Sequence, residues 1–369
     1  KHYFDIFLLY GSIVDYKMEN NVAGQLKNRY PRSKVGFIGP FPEIMPNLFS
    51  NAEFIISGEP DAYFKYQFES IETMNGVIKV NKWMDMDALP PPDYSGFPIK
   101  SYKYKPILNK SPFLTIQSSR GCPYSCGHYC TYPTSQGNKV RYRDISLIIE
   151  DINYMKKHFL MKSLLFRDPI FGINKQYPIL LSEKLIENNI KINWGIETRA
   201  DILNIDNLKI MKKAGLSSIN IGIETNDIHI AKMNKRKTVE ASYQHKIIEY
   251  CNNLGIKIIG FFIIGLEGDT ASSVRKMIQY ALEQNIFIAR FSMSTPYPGT
   301  NYFNLLDKKR LLLHKNFEEY NQFNLVIKRH NLSSQQSNRL IIDAYKSFYL
   351  SPSKLYDLVL DQIVSLLPK

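Results

Sequence analysis

Short apolar segments alternate with longer amphipathic segments along most of this chain. Beyond residue 112, the apolar segments predict six β-strands, at 112–119, 163–168, 191–198, 218–224, 257–265 and 288–295. Between them, apolar residues recur at helical spacing, which predicts helices at 145–158, 175–188, 206–214, 239–254 and 271–285. Strands and helices that alternate in this way are typical of an α/β fold, so we predict a (β/α)6 barrel, closed or partly open.

The first eighty residues show the same alternation over shorter segments. Strands are predicted at 5–12, 34–42 and 52–60, and helices at 18–30 and 61–71. This pattern predicts a parallel sheet. A complete flavodoxin-like sheet has five parallel strands, and only three are predicted here. We therefore expect the natural protein to extend upstream by several tens of residues, which supply the two missing strands.

Composition divides the chain into four predicted segments. Residues 86–106 are rich in proline and aromatic residues without periodicity, which indicates a linker. The predicted domains are a sheet domain at 1–80, a linker at 81–111, the barrel at 112–310 and a C-terminal helical extension at 311–369. In the extension, Ser333 and Gln336 have the spacing of a capping box at a helix start.

Charge and apolar content restrict the function classes. The net charge of +13 permits a nucleic-acid partner, but the lysines are spread along the chain. We interpret the densest basic run, KMNKRK at 232–237, as solvated surface. The longest apolar runs, such as 257–266, are far shorter than the roughly 20 residues that span a bilayer, so no transmembrane segment is predicted.

Three of the four cysteines lie within nine positions, in the segment SSRGCPYSCGHYC at 118–130. They are Cys122, Cys126 and Cys130, and the glycine and proline between them disfavour a helix. The cysteines therefore lie on a loop after the first barrel strand, at the end where parallel barrels carry active sites. Three thiolates suit an iron–sulfur cluster, an incomplete zinc site with His128 as fourth ligand, or a structural trio. Clustered cysteines also favour a reducing, cytoplasmic location over a secreted disulfide framework.

This loop resembles the cluster loop of radical S-adenosylmethionine (SAM) enzymes, and further similarities follow in the same order along the chain. The segments that resemble the later barrel strands are LLFRDPIF (164–171), INWGIETRADIL (192–203), AGLSSINIGIET (214–225), GFFIIGLEGDT (260–270) and STPYPGT (294–300). The family usually has two residues between the second and third cysteines, whereas this chain has three. We take Cys130 as the third ligand on a lengthened loop.

The N-terminal region resembles the second half of the cobalamin-binding domain found in one branch of this family. YGS at 10–12 and IGPFP at 38–42 resemble the loops that line the nucleotide tail. The family's Asp-x-His-x-x-Gly stretch does not occur in this chain. The resemblance therefore implies a partial radical SAM barrel that follows an incomplete flavodoxin-like domain.

The resemblance also implies roles for individual residues. Cys122, Cys126 and Cys130 bind a 4Fe–4S cluster. Arg199 binds the SAM carboxylate, Glu224 the ribose hydroxyls and Asp168 the amino group, while the strand from Ile263 to Gly265 and the ring of Tyr129 contact adenine. The alternative for Arg199 and Glu224 is a structural ion pair, with Glu197 as another candidate partner. Cys251 lies at helical spacing with Ile247 and Ile248, and we interpret it as a buried structural residue.

The implied activity is reductive cleavage of SAM to a 5′-deoxyadenosyl radical. With cobalamin, the expected reaction is methylation of an unactivated carbon in a small-molecule or lipid-like substrate, with an electron donor such as flavodoxin or ferredoxin. The alternatives are a cobalamin-branch cyclase or oxidase, a transfer-RNA methylthiotransferase and a non-catalytic metal-binding module. The methylthiotransferases carry three cysteines in an N-terminal domain, and residues 1–111 contain no cysteine. A nucleic-acid substrate is therefore not expected.

Overall fold

The chain divides into two compact units. A computed structural model describes residues 4–124, 126, 129–356 and 359. The first unit comprises 1–89, 121–140 and 295–329, and the second comprises 90–120, 141–294 and 330–369. Each unit has its own parallel sheet, so the predicted α/β fold class is confirmed.

Four parallel strands in the order β1-β2-β3-β4 form the sheet of the first unit. They are β1 (Ile6–Tyr10), β2 (Lys34–Ile38), β3 (Phe54–Ser57) and β4 (Gly76–Lys79). Strand β4 is not predicted from the sequence, because this short strand is largely exposed and lacks an apolar run. The predicted strand at 34–42 is too long, because Pro40 begins a helix, where its fixed φ and missing N–H are tolerated.

Aromatic side chains dominate the core of the first unit. Phe41 contacts Phe49 and Phe317, with ring centroids 5.9 and 5.4 Å apart. The same cluster contains Tyr302 and Tyr320, so the segment 295–329 packs with the N-terminal sheet. The predicted domains, which follow chain order, place this segment at the end of the barrel and in the extension, and those boundaries stay a prediction.

Six parallel strands in the order β12-β11-β10-β9-β8-β5 form the main sheet of the second unit. The strands of this unit, with the short pair β6 and β7, are β5 (Phe113–Ile116), β6 (Ser119–Arg120), β7 (Arg141–Tyr142), β8 (Ser163–Phe166), β9 (Asn193–Thr198), β10 (Leu216–Glu224), β11 (Lys257–Ile264) and β12 (Ile288–Met293). All six main strands were predicted to within three residues at each end. In the described part of the chain β5 and β12 are the two edges, so the sheet is the partial barrel that was predicted.

The described residues include the helices α1 to α12, and residues 352–356 are also helical. The named helices are α1 (Tyr16–Arg29), α2 (Pro40–Ile44), α3 (Pro60–Tyr66), α4 (Tyr132–Gln136), α5 (Ile145–Phe159), α6 (Tyr177–Glu187), α7 (Ile205–Lys213), α8 (Ile228–Met233), α9 (Ala241–Asn253), α10 (Ala271–Glu283), α11 (Asn301–Lys308) and α12 (Ser334–Tyr349). The capping box of Ser333 and Gln336 is present at the start of α12. None of these helices combines the length and the apolar character that a bilayer-spanning segment needs.

The turn from α7 into β10 requires a glycine. Gly215 has φ of +105°, and a Cβ at this position would lie 2.2 Å from the carbonyl oxygen of Ile192. Only glycine combines that backbone conformation with such a close approach. The predicted helix end at 214 is therefore confirmed to within one residue, and Gly215 determines where β10 begins.

Part of the predicted linker is packed against the barrel sheet. Ile107 and Leu108 are buried in a cluster with Leu165 of β8 and Ile259 of β11. The ring of Tyr104 stacks on Phe113 of β5 at 5.0 Å. Tyr104, an aromatic residue of the predicted linker, thus contributes apolar contacts to the second unit.

Candidate functional site

The cysteine loop belongs to the first unit, and its start is hydrogen-bonded to the residues that follow helix α4. Cys122 is buried, and Cys126 and Cys130 are partly exposed. The backbone N–H of Cys122 donates to the carbonyl of Gly137 at 3.0 Å. The preceding Gly121 has φ of +94°, and a Cβ there would lie 2.2 Å from the carbonyl oxygen of Lys139. The glycine before the first cysteine therefore allows the loop to fold against 136–139.

The donor set of this loop fits an iron–sulfur cluster. The loop carries three cysteine side chains, and a cluster takes thiolate ligands on separate iron atoms. Within the described residues, no three Cys, His, Asp or Glu side chains are grouped around a position for one metal ion. Residues 125, 127 and 128 lie outside the described residues, so the interpretation of His128 stays a prediction. Tyr129 packs against the aromatic core of the first unit, and its contact with adenine also stays a prediction.

Asp168 anchors the segment that leads into the cysteine loop. Its buried carboxylate accepts hydrogen bonds from the Ser118 backbone N–H at 2.7 Å and from the hydroxyls of Ser118 and Ser119, each at 2.6 Å. Burial raises the pKa of Asp168 to about 6, against the lowering effect of these hydrogen bonds. Its oxygens thus bind the two serines that precede Cys122, and the predicted contact with the SAM amino group stays a prediction.

Arg199 follows β9 and is held by a neighbouring acid. Its Nε and Nη2 atoms contact Asp201 Oδ1 and Oδ2 at 2.8 and 3.1 Å, and its side chain is only 4% exposed. Lys237 Nζ lies 3.1 Å from the same carboxylate. Burial raises the pKa of Asp201, but the hydrogen bonds and charges of Arg199 and Lys237 outweigh it and lower the pKa. The structural ion pair of Arg199 is therefore with Asp201, while Glu197 pairs with Arg167.

Glu224 ends β10 in an unusual backbone conformation. Its φ of +68° is uncommon for a residue with a side chain, and the pairing register between β10 and β11 shifts at this point. Glu224 Oε1 lies 2.9 Å from Arg236 Nη1. Burial raises the pKa of Glu224, and the charge of Arg236 opposes that rise. Backbone conformations of this kind cluster at functional sites.

Gly265 follows β11 in a tight loop. Its backbone N–H and that of Leu266 donate to Asp269 Oδ2, both at 2.9 Å. Ile263 lies on β11 and Gly265 directly after it, so both stand at the carboxyl end of the strand, where barrels bind ligands. Their contact with adenine stays a prediction.

Three functional candidates were missed by the sequence analysis: Asp201, Arg236 and Lys237. The side chain of Arg236 is 8% exposed and ion-paired, so the interpretation of 232–237 as solvated surface was wrong for this residue. The sequence signal for Arg236 and Lys237 is the basic run at 232–237, which follows the predicted strand at 218–224 that ends in Glu224. That signal does not identify which cation reaches the acid.

Comparison with known proteins shows what this chain is similar to. Residues 116–281 match the family model described as the radical SAM superfamily. The chain is 29% identical over 272 residues to an uncharacterized methyltransferase of Pyrococcus horikoshii. That alignment covers 73% of this chain and 58% of the relative. The chain is 25% identical over 280 residues to a bacteriochlorophyllide d C-12(1)-methyltransferase of Chlorobaculum tepidum, with 75% and 59% covered.

A solved structure shares the fold of nearly the whole chain. The cobalamin-dependent SAM radical enzyme OxsB, with aqua-cobalamin and SAM bound, aligns with a TM-score of 0.70 at 14% identity. The alignment covers 98% of this chain and 63% of OxsB. Residues 116–281 are therefore similar to the radical SAM superfamily, and nearly the whole chain shares the fold of OxsB. The chain spans somewhat under three fifths of the length of the two curated relatives.

Proposed function

We propose that this chain acts in a cobalamin-dependent radical SAM methyltransferase. The observation that carries the proposal is a loop with three cysteines directly after the first strand of a six-stranded parallel barrel. Both curated relatives described above are named methyltransferases, which supports methyl transfer as the reaction. The relative from Chlorobaculum tepidum is named for a bacteriochlorophyllide, which supports a small-molecule or lipid-like substrate.

The residues at the strand ends fit SAM. In this proposal Cys122, Cys126 and Cys130 hold the 4Fe–4S cluster, which when bound supplies the electron that cleaves SAM. Arg199 offers a planar fork that suits a carboxylate, and its pair with Asp201 holds that fork in place. Glu224 offers a carboxylate acceptor for hydroxyl groups, and its side chain is 14% exposed.

The loops that precede the barrel fit a second cofactor. Gly11 donates its backbone N–H to the carbonyl of Ile38 at 2.9 Å, so the loops after β1 and β2 lie side by side. Open parallel sheets bind ligands at the carboxyl ends of their strands. Tyr10, at the end of β1, is 62% exposed at this edge. We propose that residues 10–12 and 38–42 contact cobalamin, with flavodoxin or ferredoxin as the electron donor in a cytoplasmic setting.

The test uses the full natural chain, purified without oxygen and reconstituted with iron and sulfide. With SAM and a chemical reductant, the loaded protein is expected to release 5′-deoxyadenosine and to bind hydroxocobalamin. Loaded protein that does not cleave SAM would contradict the radical SAM activity. SAM cleavage without hydroxocobalamin binding would contradict methyl transfer alone and leave a cobalamin-independent radical enzyme.

Replacing Arg199 by alanine is expected to weaken SAM binding by about 1.5–3 kcal/mol, the value of a hydrogen bond to a charged group. The guanidinium is the predicted partner of the SAM carboxylate, and Lys237 remains to neutralise Asp201 in the variant. Calorimetry on cluster-loaded protein measures the change. The exposed Arg275 on α10 is the matched control, because Arg275→Ala removes an equal charge away from the strand ends. Unchanged affinity in Arg199→Ala, or its global unfolding, would refute this role.

A further inference from the structure

The segment 234–237, which we call the strand-end clasp, reaches the ends of three neighbouring barrel strands. Asn234 Nδ2 donates to the carbonyl of Glu267 at 2.9 Å, and the Glu267 backbone N–H donates to Asn234 Oδ1 at 3.0 Å. Lys237 Nζ contacts Asp201 at 3.1 Å. The clasp therefore connects the segments that follow β9 and β11.

Arg236 makes the central contacts of the clasp, at the end of β10. Its Nη1 atom lies 2.9 Å from Glu224 Oε1, and its Nη2 atom donates to the carbonyl of Gly222 at 2.6 Å. One guanidinium thus bridges both residues between which the register of β10 shifts. The rigid planar fork of arginine suits such a bridge, whereas the single ammonium of lysine does not.

The burial of the pair makes the charge of Glu224 depend on Arg236. The two side chains are 8% and 14% exposed. A buried carboxylate without a cation is costly, and it takes up a proton instead. The charge of Arg236 opposes the rise that burial causes in the pKa of Glu224. Removal of Arg236 would therefore favour the neutral form of Glu224 and take away a contact that orients its side chain.

We propose that Arg236 is a positioning residue for SAM, which holds Glu224 as a charged acceptor in one orientation for the ribose hydroxyls. This inference rests on the proposed function, because it assigns Glu224 to SAM. A positioning role for Arg236 differs from a purely structural role in one respect. A residue that acts through Glu224 affects ligands that contain the ribose and leaves ligands without it unaffected.

The test measures binding of SAM, 5′-deoxyadenosine and methionine to the full natural chain loaded with its cluster. Arg236→Gln is expected to weaken SAM and 5′-deoxyadenosine binding about tenfold, the effect of losing a hydrogen bond to a charged group. Methionine, which has no ribose, is expected to bind as before. Glu224→Gln is expected to have a similar effect, and the double variant should be no weaker than Glu224→Gln. Lys232→Gln, in the same basic run but exposed, is the matched control.

Three results would overturn the inference: unchanged 5′-deoxyadenosine binding in Arg236→Gln, equal weakening of methionine, or effects that add in the double variant. If Arg236→Gln does not fold, Arg236→Lys provides the test, because it keeps the charge but loses the bridge. This variant is expected to bind 5′-deoxyadenosine about threefold more weakly, and wild-type affinity would overturn the inference. A wild-type chain that binds no SAM would instead refute the proposed function, and this inference with it.

Discussion

Replacing Cys130 by alanine is expected to abolish binding of the iron–sulfur cluster. Cys130 is the third thiol of the loop, and its position after an extra residue is the main departure from the family spacing. A cluster held by three thiolates loses one of its iron ligands in the variant. Iron and sulfide analysis, with visible absorption after anaerobic reconstitution, measures the loss. A cluster retained in full by Cys130→Ala would contradict the assignment, as would stoichiometric zinc without iron in the wild type.

Cys251 provides the matched control for the loss of a thiol. It lies on α9 with no exposed surface, and burial raises its pKa to about 12. The thiolate is the form that binds metal, so Cys251 is a poor ligand at neutral pH. Cys251→Ala is therefore expected to retain a full complement of iron. This result would separate the loop cysteines from the fourth, which the sequence analysis interpreted as structural.

Replacing Asp168 by asparagine is expected to change how protein stability depends on pH. The folded-state pKa of Asp168 is about 6, above its ordinary value of 3.8, so the folded chain binds this proton more tightly than the unfolded chain. The group therefore stabilises the fold fully below about pH 4, and this contribution is lost as pH rises through about 6. The difference between these two pKa values corresponds to a loss on the order of 3 kcal/mol in the free energy of unfolding.

The measurement is the difference in the free energy of unfolding between wild type and Asp168→Asn, from urea denaturation at a series of pH values. Wild type should lose stability relative to the variant as pH rises from about 4 to about 7. Asp343→Asn, an exposed change on α12, controls for the loss of a surface carboxylate. A difference that stays constant across this range, or changes in the opposite direction, would show that burial does not raise the pKa of Asp168.

The barrel was predictable because its signals are local. Each main strand is an apolar run of strand length, and each helix between them has an apolar face at the spacing of 3.6 residues. Glycine at Gly215 and the capping box at Ser333 mark element ends through the backbone of adjacent residues. Strand β4 lacked such a signal, because it has four residues and little burial.

The partners of the site residues were not predictable for the opposite reason. Arg199 pairs with Asp201 and Glu224 pairs with Arg236, whereas the predicted ion pairs are among Arg199, Glu197 and Glu224. Which carboxylate meets which cation depends on the direction of each side chain at a strand end. That direction depends in turn on the positive φ at Glu224 and on the path of the segment after α8.

The amino-acid sequence alone determined the α/β class, the order of the six barrel strands and the placement of three cysteines after the first of them, because periodicity and chain order carry this information. Tertiary structure decided what surrounds each charged group. In the folded chain Arg236 is buried although it belongs to a basic run. Asp168 accepts hydrogen bonds from the two serines that precede Cys122. Burial depends on contacts between residues far apart in the chain, and the composition of a short segment does not predict those contacts.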